Sequence, residues 1–294
     1  MGVINLSGFA DDVGRAGAIC VRGGGTRWDL GGVAGEVRVV TAPAGIDSFD
    51  PAEMTVVVGT GTTLSNLADV LAADGQEVAL DGPPEATIGG ALMVGRSPLR
   101  RGRLGEVADV LLQADCIGAD GQIFVAGGPT VKNVSGYDLC RLLVGSLGTL
   151  ALVGRVILRT RPMPDASAWM AGEVPPEVVL KSVYRPATVL WDGIQTTVQV
   201  EGHGADVNNE MALLGRLGLV SVGQPVLPGE RDRWSGVLPD GGVLEVGAGV
   251  VHQLERASPP AVAAGIRALG DRMRDAFDPS RRLNPGRDPH RVAA

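Results

Sequence analysis

The sequence predicts an α+β protein of two domains, and three observations carry that expectation. A chain of 294 residues with 45% hydrophobic residues has room for two cores, at roughly 150 residues per domain. In "MTVVVGTGTTLSNLADVLAADG" the β-branched and apolar run at 54–58 passes into Leu64, Leu67 and Leu71 at helical spacing, which reads as strand, turn and helix. Beyond the Pro-bearing linker "VPPEVVLKSVYRP", the stretches "PATVLWDG", "TTVQVEG" and "DVNNEMALLGRLG" read as a separate β-β-α unit.

Composition removes several function classes. A net charge of −7 with 3% aromatic residues offers neither the basic face nor the stacking platform of a nucleic-acid binder. There is no charge-free run long enough to cross a bilayer, and the start "MGVINLSGFADDVGR" lacks a basic region followed by a long apolar one, so no transmembrane segment is expected. The expected location is the cytoplasm, with any membrane association made through partners. Cys20, Cys116 and Cys140 are too widely spaced for a zinc or iron-sulfur site on this chain alone and read as buried thiols, so no metal site is expected.

Taken in order, "GAICVRGGGT" is a short strand running into Gly23, Gly24, Gly25 and Thr26. Without Cβ atoms, successive backbone N–H groups can lie against an anion such as a diphosphate, while the plainer reading is a tight loop. The dinucleotide fingerprint, Gly-x-Gly-x-x-Gly opening a helix with an acidic residue some twenty positions on, is missing, which disfavours a Rossmann NAD enzyme. The helix after the second strand takes Thr62 or Thr63 as N-cap and ends before Gly75. Next come the Gly-rich "ATIGG" and a loop holding Arg96, Arg100, Arg101 and Arg103. Those arginines form either a solvated ion-pair network or an anion-attracting rim. Two strands joined by "GADG" at 118–121 read as a hairpin.

The stretch "VKNVSGYDLCRLLVGSLGTL" at 131–150 puts a Gly-Tyr-Asp turn before a Gly-punctuated apolar run, and Asp138 is a good N-cap for "LCRLL" in any fold. After the β-β-α unit, "GGVLEVGAGVVHQL" is expected to add a third strand. A helix over 261–277 carries Val262, Ile266, Leu269, Met273 and Phe277 at helical spacing and is expected to pack by that stripe. "FDPSRRLNPGR" follows it.

The ordered set "RGGGT", "TVVVGTGTTLSNLADVLAADG", "ATIGGAL", "RRGRLGEVADVLLQADCIGADGQ", "KNVSGYDLCRLLVGSLGTLALVGRVILRTRP" and "FDPSRRLNPGR" resembles the FAD-binding fold of the vanillyl-alcohol oxidase or p-cresol methylhydroxylase (PCMH) family. Within that family the fifth stretch is most similar to the smaller FAD-binding subunits (E subunits) of bacterial glycolate oxidases. The resemblance covers 18–162 and 276–287. It implies a PCMH-type FAD-binding domain of two α/β subdomains over 1–162. A reduced α+β cap over 163–258 and a C-terminal helix and tail over 259–294, returning to the FAD domain, complete the expected organisation.

By the same resemblance, Arg22, Gly23, Gly24, Gly25 and Thr26 bind the FAD diphosphate, and Thr87, Ile88, Gly89 and Gly90 pass close to the cofactor. Lys132, Asn133, Gly136, Tyr137 and Asp138 sit near the flavin or its ribityl chain, and Asn284 lies near the cofactor. Relatives that attach flavin covalently use a His in the Gly-rich loop or a Cys in the cap. Here Thr26 follows the glycines and no Cys occurs after Cys140, so FAD is expected to be non-covalent.

The resemblance implies an FAD subunit of a glycolate oxidase-like 2-hydroxyacid dehydrogenase complex, working beside a catalytic flavin subunit and an iron-sulfur subunit. Two alternatives stay open: a self-sufficient small oxidoreductase and a non-catalytic assembly subunit of the same fold. Oxidising a 2-hydroxy acid needs a base and a cation for the carboxylate. His203 and His252 have no partner at metal-ligand spacing and read as ordinary histidines. Arg96 to Arg103 or Arg282 could hold a carboxylate, and no catalytic residue can be chosen from the sequence.

Overall fold

The computed structural model describes residues 4–128, 138–256 and 262–292. They divide into two units, Met1–Ser97 with Glu106–Pro162 and Pro259–Val292, and Pro98–Gly105 with Met163–Ser258. The first unit is built on an antiparallel five-stranded sheet in the order Ile46–Asp50, Thr55–Gly59, Leu152–Arg159, Leu111–Ile117, Ile123–Gly127. Leu111–Ile117 and Ile123–Gly127 are the hairpin expected around "GADG", with Ile117 opposite Ile123. Val56 and Val58 alternate inward and are fully buried, as a half-buried strand requires.

Helix Leu64–Ala72 follows its strand as the spacing predicts. Thr63 is the N-cap, its hydroxyl accepting from the Asn66 amide at 3.3 Å, and Leu67 and Leu71 have no exposed surface. A smaller parallel pair, Ile19–Val21 with Arg38–Val40, carries the Gly-rich turn at its end. Ile19 shares a core with Phe9, Val13, Ile117, Leu152 and Leu283, so the first strand, the hairpin and the C-terminal tail meet in one cluster.

That tail is tied by Arg282. Its guanidinium donates to the carbonyls of Val13, Gly14, Ala16, Gly17 and Ala119, at 2.8 to 3.2 Å. A guanidinium whose donors are taken by five carbonyls is a structural clasp, which removes Arg282 from the candidates for holding a substrate carboxylate.

The helix before the tail, Ala264–Phe277, corrects an expectation. None of its residues is buried, and Ile266 and Leu269 are 58% and 52% exposed. The helix turns its Arg267, Gly270 and Arg274 face to the tail instead. Arg274 donates to the carbonyls of Leu283 and Arg287 at 3.2 and 3.4 Å, Arg267 pairs with Asp288 at 3.4 Å, and a Cβ on Gly270 would stand 2.9 Å from His290 Nε2. Residues three and four apart share a helix face, so satisfying the tail's carbonyls through one stripe leaves Ile266 and Leu269 outside, while Met273 and Phe277 are half-buried.

The second unit is larger in strand count than the β-β-α reading. Its seven-stranded antiparallel sheet runs Val220–Val222, Ala166–Gly172, Thr196–Gly202, Thr188–Trp191, Val243–Glu245, Val250–Gln253, Glu230–Arg233. "GGVLEVGAGVVHQL" supplies two strands, because Gly247 and Gly249, at φ +83° and +66°, reverse the chain between them. The expected linker "VPPEVVLKSVYRP" contains helix Pro176–Ser182, with Pro175 as its N-cap. Proline in a first helical turn lacks only an N–H that has no partner there. That helix and Gly204–Arg216 pack Val179, Val207 and Leu214 against Met170, Val189, Val198 and Val200 of the sheet.

Residues 98–105, expected within the 1–162 domain, belong to this second unit. Arg100 pairs with Glu201 at 2.7 Å, Arg103 with Glu201 at 3.8 Å and Arg101 with Glu245 at 3.2 Å. The Gly102 amide donates to Ala187 O at 3.1 Å. The basic loop is therefore an ion-pair network at these three arginines. Glu245, almost fully buried, also meets Arg231 at 3.4 Å and His252 at 2.7 Å.

Candidate functional site

A cavity of about 380 Å³ opens in the first unit, beside the end of strand Ile19–Val21, within the size range of small-molecule sites, roughly 300–1,000 Å³. The turn Gly23–Thr26 forms one wall. Among the described residues no protein acceptor takes the amides of Gly23, Gly24, Gly25 or Thr26. Gly25 lies at φ +72°. A run of unclaimed loop amides with one left-handed glycine is the kind of backbone concavity that accepts an anion.

The glycines have a second reason. A Cβ on Gly23 would fall on Thr87 Oγ1, and one on Gly24 would fall on the carbonyl oxygen of Glu85. The turn at 23–24 thus lies directly against the loop at 85–87. Thr87 is the N-cap of helix Ile88–Val94, its hydroxyl accepting from the Gly90 amide at 3.2 Å. The amides of Ile88 and Gly89 donate to the carbonyls of Thr62 and Thr60 at 2.9 and 2.8 Å. This segment contributes to the wall by close approach of its backbone, with the N–H groups of Ile88, Gly89 and Gly90 already used. Gly89 and Gly90 line the cavity, whereas Ile88 is fully buried and packs behind it.

Asn284 closes the far side. It sits at φ +42°, its amide donates to Ile19 O at 2.8 Å, its Oδ1 accepts from the Val21 amide at 3.3 Å, and its Nδ2 donates to Gly148 O at 3.0 Å. Asparagine tolerates the left-handed region better than most residues. Nine of the residues expected from the sequence, Arg22, Gly23, Gly24, Gly25, Thr26, Thr87, Gly89, Gly90 and Asn284, line this one cavity. Asp138 does not: its side chain caps helix Leu139–Leu143, accepting from the Arg141 amide at 3.2 Å. Lys132, Asn133, Gly136 and Tyr137 fall outside the described residues.

Sequence reasoning missed Trp28, Thr60, Leu147 and Arg287. Only proximity marks them beforehand: Trp28 lies two residues past Thr26, and Arg287 ends the "LNPGR" of the tail. Arg22, Arg27 and Arg287 face the cavity against the single carboxylate of Glu85. Arg27 is paired with Asp81 at 2.7 Å. Three guanidiniums beside unclaimed amides fit a doubly charged diphosphate, and the apolar wall of Leu30, Ala42, Met93, Val94 and Leu152 fits the uncharged part of such a ligand.

Residues 13–127 match the family model described as an FAD binding domain. This stretch of the chain is similar to an FAD-binding domain. The cavity's Gly-rich turn and the 85–90 wall both lie inside that match. Over 145 residues the chain is 34% identical to the glycolate oxidase subunit GlcE of Escherichia coli, covering 48% of this chain and 41% of that protein. It is also 34% identical over 151 residues to a D-lactate dehydrogenase of Archaeoglobus fulgidus, covering 49% of this chain and 33% of that one. The chain therefore matches less than half the length of either relative. An alkyldihydroxyacetonephosphate synthase superposes with a TM-score of 0.63 at 13% identity, over 91% of this chain and 71% of that one, a likeness of fold.

No histidine or cysteine is among the residues that line the cavity. The three cysteines are free and buried; burial pushes Cys140 up to about 11 and also raises Cys20 and Cys116. His203 is exposed and paired with Asp165, and His252 is held by Glu245. Among the described residues there is no group of three or more His, Cys, Asp or Glu placed to hold a metal ion.

Proposed function

We propose that this chain is the FAD-bearing subunit of a glycolate oxidase-like 2-hydroxyacid dehydrogenase complex. It would act on glycolate or a related small 2-hydroxy acid, with electrons passed on through its flavin. The observation that carries this reading is the cavity at the Gly-rich turn, whose Gly23–Thr26 and 85–90 walls lie within the FAD-binding match at 13–127, and the 34% identity to the GlcE subunit supports the choice of complex. Bound FAD would supply a two-electron acceptor for the C–H bond beside the hydroxyl.

The chain's own residues would hold it without a covalent bond. The amides of Gly23 to Thr26 and the guanidinium of Arg22 meet the diphosphate. The backbone at Thr87, Gly89 and Gly90 lets the cofactor approach closely, and Asn284 braces the wall between Val21 and Gly148. Lys132, Asn133, Gly136 and Tyr137 are assigned to the flavin or its ribityl chain by resemblance. The partners are a catalytic flavin subunit and an iron-sulfur subunit, in the cytoplasm or on a membrane reached through them. No helix of the described residues is long and apolar enough to cross a membrane.

The 34% identity to a D-lactate dehydrogenase supports a second reading, a self-sufficient oxidoreductase. One anaerobic experiment separates them. The FAD-loaded chain is mixed with glycolate, D-lactate and related acids, alone and then with the products of adjoining genes, and flavin bleaching is followed. Bleaching only with the partners is expected; bleaching by the isolated chain at a rate fit for turnover would promote the self-sufficient enzyme, and a protein that retains no flavin would overturn both.

A further inference from the structure

Trp28 stands at the hinge between the Gly-rich turn and the loop that follows it, its amide donating to Gly25 O at 3.3 Å. Two guanidiniums lie over its ring, Arg22 at 5.3 Å and Arg287 at 4.7 Å from the centroid. They are held differently. Arg287 is buried and donates to the carbonyls of Leu30, at 3.1 Å, and Gly32. Arg22 is exposed, and among the described residues no carboxylate or carbonyl takes its side chain. Besides the indole, Arg22 has Gly25 beneath it, where a Cβ would stand 3.4 Å from Nε and Nη2.

Of the three cations lining the cavity, Arg27 is neutralised by Asp81 and Arg287 is occupied by carbonyls. Arg22 is the one whose donors have no protein acceptor among the described residues, and it lies beside the unclaimed amides of the turn. A long exposed arginine samples many rotamers, and a ring that stacks on it restricts them to those near the turn.

We infer that Trp28 is a positioning residue that holds the Arg22 guanidinium over the Gly23–Thr26 turn for the cofactor's diphosphate, the indole itself being anchored by Arg287. The inference rests on the FAD reading of the cavity. It assigns the ring no contact with the cofactor: Trp28 acts through Arg22.

The test is titration of the flavin-free full chain with FAD at about 50 mM and about 500 mM NaCl, a span over which exposed charges become screened. At low salt Trp28→Ala is expected to bind about tenfold more weakly than wild type, while Trp28→Phe, which keeps a ring, stays within about threefold. At high salt the wild type and Trp28→Ala should converge, because what the ring organises is a charge. The double variant Trp28→Ala with Arg22→Met should bind no worse than Arg22→Met alone, as expected of two residues acting through one contact. A gap that persists unchanged at high salt, additive losses in the double variant, or a Phe variant as weak as Ala would each overturn the inference; general damage to the fold gives the first of these patterns. A wild-type chain that binds no FAD at either salt concentration would instead overturn the FAD reading itself.

Discussion

Asn284 Nδ2 donates to the carbonyl of Gly148 at 3.0 Å, joining residues 136 apart in the chain, while its Oδ1 accepts from the Val21 amide at the end of the first strand. The side chain is 7% exposed. Its two ends thus satisfy one carbonyl and one amide of the cavity wall. Asn284→Ala leaves both without that partner and keeps a non-glycine residue at positive φ. The expected loss is about 1–3 kcal/mol of stability in the flavin-free protein, read from urea unfolding, since an unsatisfied buried polar group costs about that much.

Gly24 separates packing from binding. A Cβ there meets the Glu85 carbonyl oxygen, a backbone atom that cannot turn aside. Gly24→Val is therefore expected to lower the melting temperature even of the flavin-free chain, as well as to abolish FAD binding. Gly25→Ala faces no backbone obstacle and should lose only the left-handed preference, about 1–2 kcal/mol. Comparing the two flavin-free variants by thermal melting checks the order; equal stability of Gly24→Val and wild type would mean that the 23–24 and 85–87 loops do not touch.

Flavin should leave the protein on acid precipitation, because no His or Cys lines the cavity. Yellow colour in the supernatant is the expected outcome, and fluorescence that stays with the denatured polypeptide on electrophoresis is the contrary one.

In the second unit, Glu245 is almost fully buried among Arg101, Arg231 and His252. Replacing it by Gln keeps the shape and removes the carboxylate charge that Arg101 and Arg231 face. The expected loss is about 3–5 kcal/mol, measured by denaturant unfolding. A loss below about 1 kcal/mol, the value of an exposed pair, would mean that water reaches the cluster.

The buried thiols set an alkaline limit. Cys140 is pushed from an ordinary value of 9.0 up to about 11, chiefly by burial, and Cys20 and Cys116 move the same way. Between pH 9 and about 11 the unfolded chain has lost these protons while the folded chain keeps them, so stability is full below pH 9 and falls as pH rises through that window. Unfolding free energies at several alkaline pH values check the sign. A thiol-specific disulfide reagent at pH 8 should label none of the three until denaturant is added.

Local patterns determined a good deal of this protein. The strand and helix through Leu64, Leu67 and Leu71, the hairpin around "GADG", and the strand ending in three glycines all follow from short-range periodicity and turn chemistry, and all are present. Nine residues of the cavity wall could be named from motifs because each motif is contiguous and brings its own backbone geometry. Tertiary structure decided what periodicity does not encode, namely which surface each pattern meets. The apolar stripe of Ala264–Phe277 is a regular helical stripe, yet the tail's carbonyls draw the arginine stripe inward and leave Ile266 and Leu269 outside. Pro175 and Pro176 read as a linker until Val179 is seen buried against a sheet whose seven strands come from distant segments. The four arginines at 96–103 could serve an anion or a network, and only the placement of Glu201 and Glu245 across the second unit assigns three of them to ion pairs. Arg22, Trp28 and Arg287 come together only because the tail packs Leu283 beside Ile19, a contact between sequence-distant residues for which no local signal exists.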